Sequence, residues 1–121
     1  MNDSLENRSE HLRDLIGKEV TVTVDRPLGS SHPEHRDTVY PVNYGYIEGL
    51  TAADGEEQDA YILGRYVPLS SFSGIVAAVI VRKDDLEDKL VVVPKGMTFS
   101  KEEIEKLTRF QEQFFDSEVI M

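Results

Sequence analysis

No cysteine occurs among the 121 residues, which excludes a disulfide framework, a thiolate metal site and a cysteine nucleophile. Positive charge is scarce: 13 lysines and arginines stand against 23 aspartates and glutamates, for a net charge of −10. A surface so negative repels nucleic-acid backbones and argues against DNA or RNA as a partner. An anionic substrate would be repelled too, unless bound cations reverse the local sign. No apolar run approaches the ~20 residues that span a bilayer, and no secretory pattern opens the chain. The expectation is a cytoplasmic protein with no membrane partner. What the chain does contain, 40% hydrophobic residues, suits one core in one domain.

Residues 1–16 read as a polar tail and a short helix, SEHLRDLIG, stopped by Gly17 with Leu12, Leu15 and Ile16 inward. Residues 17–121 read as a single domain. Glu19 to Asp25 alternates valine with polar residues, the pattern of a strand with one buried face. The stretch RPLGSSHPEHRD, with Pro27, Gly29 and Pro33, is a loop. TVYPVNYGYI is β-rich, but Pro41 restricts any strand there to an edge or a first position. DAYILGRYV, GIVAAVIVR and KLVVVP predict three further strands, the second apolar enough to be buried on both faces. SKEE at Ser100 fits a capping box that opens a helix, with Ile104, Leu107, Phe110 or Gln111, and Phe114 as its apolar stripe. Strands followed by a terminal helix, with no internal repeat, give an α+β, mainly β domain: a small, OB-like curled barrel covered by a C-terminal helix.

Two acidic groups remain. DGEEQD places Asp54, Glu56, Glu57 and Asp59 within six residues, and DDLED follows from Asp84 to Asp88. Each alone reads as a solvated turn. Together, at the ends of neighbouring strands, they could meet at one rim of a sheet. Gly55 frees the backbone to bend, and oxygen-only donors suit Mg²⁺, Mn²⁺ or Ca²⁺. Lys89 follows the second group and is either a phosphate-binding cation or a surface charge. His32 and His35, in a proline-containing loop, read as exposed histidines, and the tyrosines from Tyr40 to Tyr66 as core and site-lining groups.

YPVNYGYI, the D-G-x-x-x-D that follows at fixed spacing, and KLVVVP together resemble the soluble, Mg²⁺-dependent (family I) inorganic pyrophosphatases. VTVTVDRP resembles that family's first strand, with Asp25 and Pro27 in the places of its acid and proline. The resemblance covers about Val20 to Phe115. It implies Mg²⁺ (or Mn²⁺) as cofactor, pyrophosphate as substrate, hydrolysis to two phosphates by a metal-activated water, and room for a homo-oligomer. Carried over by residue, it implies Asp54, Asp59, Glu56, Asp84 and Glu87 as metal ligands, with Asp59 next to the attacking water. Asp84 or Asp85 fits the loop position, the register being open by a residue or two. Tyr44 and Lys89 would act on the phosphates, Tyr40 and Asn43 would support them, and Arg26 or Arg36 would supply substrate-binding cations.

The chain departs from the family at several points. Its D-G-D-P is DGEE here, the hairpin bearing K-x-E and a later arginine is reduced to LGSSHPEHRDTV, and FFDSEVIM lacks a Tyr-Lys pair. Arg26, His32, His35 or Arg36 is expected to face the carboxylates in place of the lost cations. The alternatives are a catalytically silent pyrophosphatase-like binding module and a phosphohydrolase for another small phosphoanhydride.

Overall fold

The computed structural model describes residues 10–121. The part of the expected tail before Glu10 lies outside the described residues. Residues 10–13 form a helical turn that drops Leu12 into the core, with Leu15 and Ile16 packed beside it. Gly17 ends this segment at φ 93°, and its N–H donates to the Val76 carbonyl.

Six strands and one helix follow: β1 (Glu19–Arg26), β2 (Asn43–Thr51), β3 (Glu57–Ile62), β4 (Ser71–Arg82), β5 (Lys89–Val93), α1 (Lys101–Glu112) and β6 (Ser117–Ile120). The sheet order is β1-β2-β3-β5-β4-β6, and an added β1–β4 pairing closes five strands into a barrel. β4 is long enough for two partners along one edge. Ser71–Ile75 pairs with β1, and Val79–Arg82 pairs with β6. β3 and β5 run parallel; the remaining pairings are antiparallel. The expected OB-like barrel with a C-terminal helix is what the chain forms.

Local chemistry explains the boundaries. β2 starts two residues after Pro41, which has no N–H for a ladder. Gly45 lies against β1 so closely that a Cβ there would sit 1.9 Å from the Thr23 carbonyl oxygen, so only glycine fits. β3 ends earlier than the DAYILGRYV run predicts, because Gly64 turns the chain at φ 91°. β4 begins earlier than expected, at Ser71, since its pairing with β1 includes polar Ser71 and Ser73. β6 was not expected: four residues with one buried side chain, Val119, carry too little pattern to announce a strand. α1 carries the capping box as read, Ser100 Oγ accepting from the Glu103 N–H and the Glu103 carboxylate from the Ser100 N–H.

Strand alternation sorts the core into two layers. Val22, Ile47, Ala60, Ile62, Val79 and Leu90 come from all five barrel strands and fill the interior. Tyr44, Tyr61, Ile80 and Val91 face outward and receive Ile104, Leu107 and Phe110 from α1. The candidate site occupies the edge of this second layer.

Candidate active site

Register brings three polar side chains together on the helix-facing side of the barrel. Asp59 shares a face with Tyr61 on β3, and Lys89 shares one with Val91 on β5. Tyr44 pairs with Tyr61, and Ala60 with Leu90. Tyr44 and Lys89 therefore flank Asp59 from its two neighbouring strands. The Tyr44 hydroxyl donates to Asp59 Oδ2 at 2.8 Å, and the Lys89 ammonium donates to the same oxygen at 2.8 Å. Lys89 also donates to Glu87 Oε1 at 3.0 Å. The lysine side chain is 3% exposed, whereas those of Asp59 and Glu87 are 31% and 41% exposed. A sunken ammonium thus underlies two carboxylates that face solvent. Burial, reinforced by the Asp59 charge, pushes the Tyr44 hydroxyl well above its ordinary 10, so it stays a donor.

These groups border a cleft of about 570 Å³ between the barrel wall, the loop after β1 and the C-terminal end of α1. Asp25, Arg26, His32 and His35 line it from the β1 side; Arg82, Phe110, Gln111, Phe114 and Phe115 line it from the other. Burial raises the Asp25 carboxyl, and the Asp59 charge adds to this against the opposing pull of Arg26. His32 is lowered by burial and by the charges of Arg26 and His35.

The two arginines are held by one chain of hydrogen bonds. Arg26 donates to the Tyr40 hydroxyl at 2.8 Å, Tyr40 to Gln111 Oε1 at 3.0 Å, and Gln111 Nε2 to the Tyr61 hydroxyl at 2.8 Å. Tyr61 donates to Glu112 Oε2 at 2.6 Å. Arg82 meets Glu112 through Nε and Nη2, at 3.0 and 2.7 Å, and stacks over Phe115 at 3.8 Å. Burial alone would raise the Glu112 carboxyl, but Arg82, Ser117 and Tyr61 outweigh it and hold it below the ordinary value. At Arg82 burial works against the charge, but Glu112 and, less strongly, Tyr61 and Tyr44 outweigh it, and the guanidinium pKa is raised.

The remaining residues singled out in the sequence lie as follows. Tyr40 is fully buried and does not line the cleft; it supports the site from beneath through Arg26, Gln111 and the Tyr44 ring. Asn43 accepts from the Leu28 and Leu69 N–H groups and donates to the Val67 carbonyl, tying two loops to the start of β2. Asp54 and Glu56 are exposed in the β2–β3 turn, where Asp54 Oδ1 accepts from the Glu56 N–H at 3.0 Å; neither borders the cleft. Asp84 accepts from the Asp116 N–H at 3.1 Å and also lies outside it. Arg36 is exposed and outside the cleft, whereas Arg26, His32 and His35 of the same region line it. Arg82 and Glu112 were not singled out, and Gln111 was named only as an alternative member of the helix stripe. The only sequence trace of Glu112 is its helical spacing from Ile104 and Thr108, with which it is buried in the structure.

The donors in the cleft have the chemistry of a hard divalent cation site: carboxylate oxygens without thiolates. Asp59 Oδ1 and Glu87 Oε2 accept no hydrogen bond among the described residues. As the side chains stand, no three acidic or histidine groups among the described residues converge to hold an ion. The Lys89 ammonium bridges Asp59 and Glu87 instead.

No protein-family model matches the chain. It is 35% identical over 79 residues to an inorganic pyrophosphatase of Aeropyrum pernix, a match covering 62% of this chain and 42% of that protein. The chain thus spans less than half the length of the curated relative it matches. Among solved structures it is similar to the inorganic pyrophosphatase of Ehrlichia chaffeensis, with TM-score 0.64, 19% identity and 85% of each chain covered. The enzyme of Coxiella burnetii gives TM-score 0.60 at 15% identity over 86% of this chain and 84% of that one. That of Thermus thermophilus gives 0.58 at 17% identity over 86% and 81%. The resemblance drawn from the tyrosine and acidic motifs therefore stands in sequence and in fold: the chain resembles a short, divergent inorganic pyrophosphatase.

Proposed function

We propose that the cleft hydrolyses inorganic pyrophosphate to two phosphates with a divalent cation as cofactor, Mg²⁺ by the family resemblance and consistent with the oxygen donors. The observation that supports this most is the triad on the barrel face, in which Tyr44 and Lys89 both donate to one oxygen of Asp59. That arrangement fixes one carboxylate oxygen and leaves the other for a cation or a water.

Asp59 and Glu87 would hold the ion, with Asp25 on the facing wall. When bound, it would neutralise phosphate charge and lower the pKa of an attacking water. The chain's own groups do the positioning. Lys89 carries a positive charge to the floor of the site, where a phosphate oxygen would meet a charge-assisted donor. Tyr44 keeps its proton and orients Asp59. Arg26, held by Tyr40 and lying 5.9 Å from the centroids of the Tyr40 and Tyr44 rings, offers a second cation for the departing phosphate. Arg26 takes the role for which His32, His35 and Arg36 were also considered.

Phosphate release from pyrophosphate with Mg²⁺, with chelator, and with tripolyphosphate as competitor tests the reading. Mg²⁺-dependent release supports it. Tight Mg²⁺ and phosphate binding without release would make the chain a silent binding module.

A further inference from the structure

The cleft is larger than an inorganic diphosphate needs. Its volume is about 570 Å³, and a diphosphate granted the ~30 Å³ of a liquid water for each heavy atom fills less than half of it. It lies within the ~300–1,000 Å³ of pockets that enclose whole organic ligands.

Rings mark where the surplus leads. Neighbouring rings run from the Asp59 partner to the mouth, passing beneath the cleft at the fully buried Tyr40, while Tyr44, His32, His35 and Phe114 line it. Tyr44 and Tyr40 are 5.6 Å apart, Tyr40 and His32 6.0 Å at an interplanar angle of 7°, His32 and His35 5.0 Å. The last step, His35 to Phe114, is 6.4 Å at 25°. These two rings come from opposite walls, the loop after β1 and the segment following α1. Both residues are exposed, and Phe114 is 67% exposed, so core packing does not account for it.

A third ring between two others needs two contact distances of about 3.5–4.0 Å. The 6.4 Å gap is roughly 0.6–1.6 Å short of that sum, and exposed side chains can open it by rotation.

We propose that, beyond inorganic pyrophosphate, this cleft also takes a phosphoanhydride carrying a nucleoside, a nucleoside diphosphate being the simplest case. The anhydride lies beside Asp59 and Lys89, and the base enters between His35 and Phe114. This rests on the pyrophosphatase reading of the same cleft. In hydrolysis the water oxygen bonds to the terminal phosphorus and the bond from that phosphorus to the bridging oxygen breaks. The bridging oxygen leaves with its electron pair on the nucleoside monophosphate. One water proton stays on the inorganic phosphate and the other is released. Stacking discriminates weakly among bases, since each has a π face, so several nucleobases are accepted.

Calorimetry on the full chain with Mg²⁺ tests this with two non-hydrolysable probes: the α,β-methylene analogue of ADP, and methylenediphosphonate as the pyrophosphate analogue. A third probe, a prenyl methylenediphosphonate, carries an aliphatic tail. The expected result is tighter binding of the ADP analogue, with its affinity ratio over methylenediphosphonate falling about tenfold in Phe114→Ala and in His35→Ala, a scale set by base–aromatic stacking. Phe114→Trp should keep the ratio. Equal affinity of the two probes in the wild type, or an unchanged ratio in Phe114→Ala, overturns the proposal. If pyrophosphate is still hydrolysed in that case, the pyrophosphatase reading stands without it. A prenyl probe that binds as well as the ADP analogue overturns the assignment of a planar group. If no probe binds and no anhydride is cleaved, both readings fall.

Discussion

Asp54 and Asp59 belong to one motif, five residues apart, yet they occupy different physical settings. Asp59 sits on β3, where pairing on both sides sets the direction of its side chain and two donors hold one of its oxygens at 2.8 Å. Asp54 sits in a turn opened by Gly55 at φ 89°, exposed, with its carboxylate accepting from the Glu56 N–H. The same contrast separates Lys89 on β5 from Asp84 in the loop before it. Strand residues gain position from the ladder and the core beneath; turn residues satisfy their own backbone and face water. Electrostatic work on a substrate requires the first kind of position.

Changes on the fixed side should therefore cost far more than changes in the turns. The largest effect is expected from Glu112→Ala, which removes the bidentate partner of the buried Arg82 and leaves it the longer ion pair to Asp85 at 3.7 Å. Breaking a buried pair costs roughly 3–5 kcal/mol, and the remaining pair keeps the loss to the lower end. Urea denaturation measures it. The loss has a pH signature. The folded pKa of Glu112 is depressed below 4.5, so its stabilisation is fully present above that value and disappears as pH falls through the folded pKa. The variant's stability should accordingly fall less than wild type's across that acid range.

Next in size is Lys89→Met, which removes the charge under Asp59 and Glu87 while keeping an apolar stem of similar length. Turnover of pyrophosphate should drop by about 10²–10³-fold, the usual cost of one preorganised donor. Steady-state kinetics at saturating Mg²⁺ decides it.

Tyr44→Phe is gentler. It deletes one hydrogen bond to a charged oxygen, about 1.5 kcal/mol or roughly tenfold in rate, and leaves the buried ring in place. A loss in kcat with little change in KM would mark Tyr44 as orienting Asp59 and not as a ground-state phosphate contact.

The smallest effect belongs to the turn. Asp54→Ala removes a local cap at an exposed position and should change stability by no more than about 0.5 kcal/mol in the absence of metal. Melting curves with chelator, Mg²⁺ and NaCl of matched ionic strength sharpen the comparison. A Mg²⁺ response equal to wild type's leaves the turn outside the ion site, and a lost response brings Asp54 into it.

The barrel was legible because its strands carry strong local patterns: alternating valines in β1, an unbroken apolar run in β4 and β5, and the Ser100 capping box. β6 was not, since four residues held mainly by pairing with β4 have no pattern of their own. The family resemblance pointed to Tyr44, Asp59 and Lys89, and register brings these three together. It also named Asp54, Glu56, Asp84 and Glu87, of which Glu87 alone borders the cleft, because a turn's direction depends on backbone torsions that composition does not report. The Arg82–Glu112 pair escaped for a different reason. Its members lie thirty residues apart, and each looks like an ordinary charge at the end of its element.

The central claim is that Asp59, fixed on its strand, is at the reacting centre while Asp54 is not. The most direct measurement is Mg²⁺-dependent phosphate release from pyrophosphate by wild type, Asp59→Asn and Asp54→Asn side by side. Both changes remove one charge at nearly constant shape. The account predicts a loss of about 10²–10⁴-fold for Asp59→Asn and a rate within about twofold of wild type for Asp54→Asn, whose surface position gives it little energetic reach. Equal losses in the two variants, or a wild-type rate in Asp59→Asn, would contradict it.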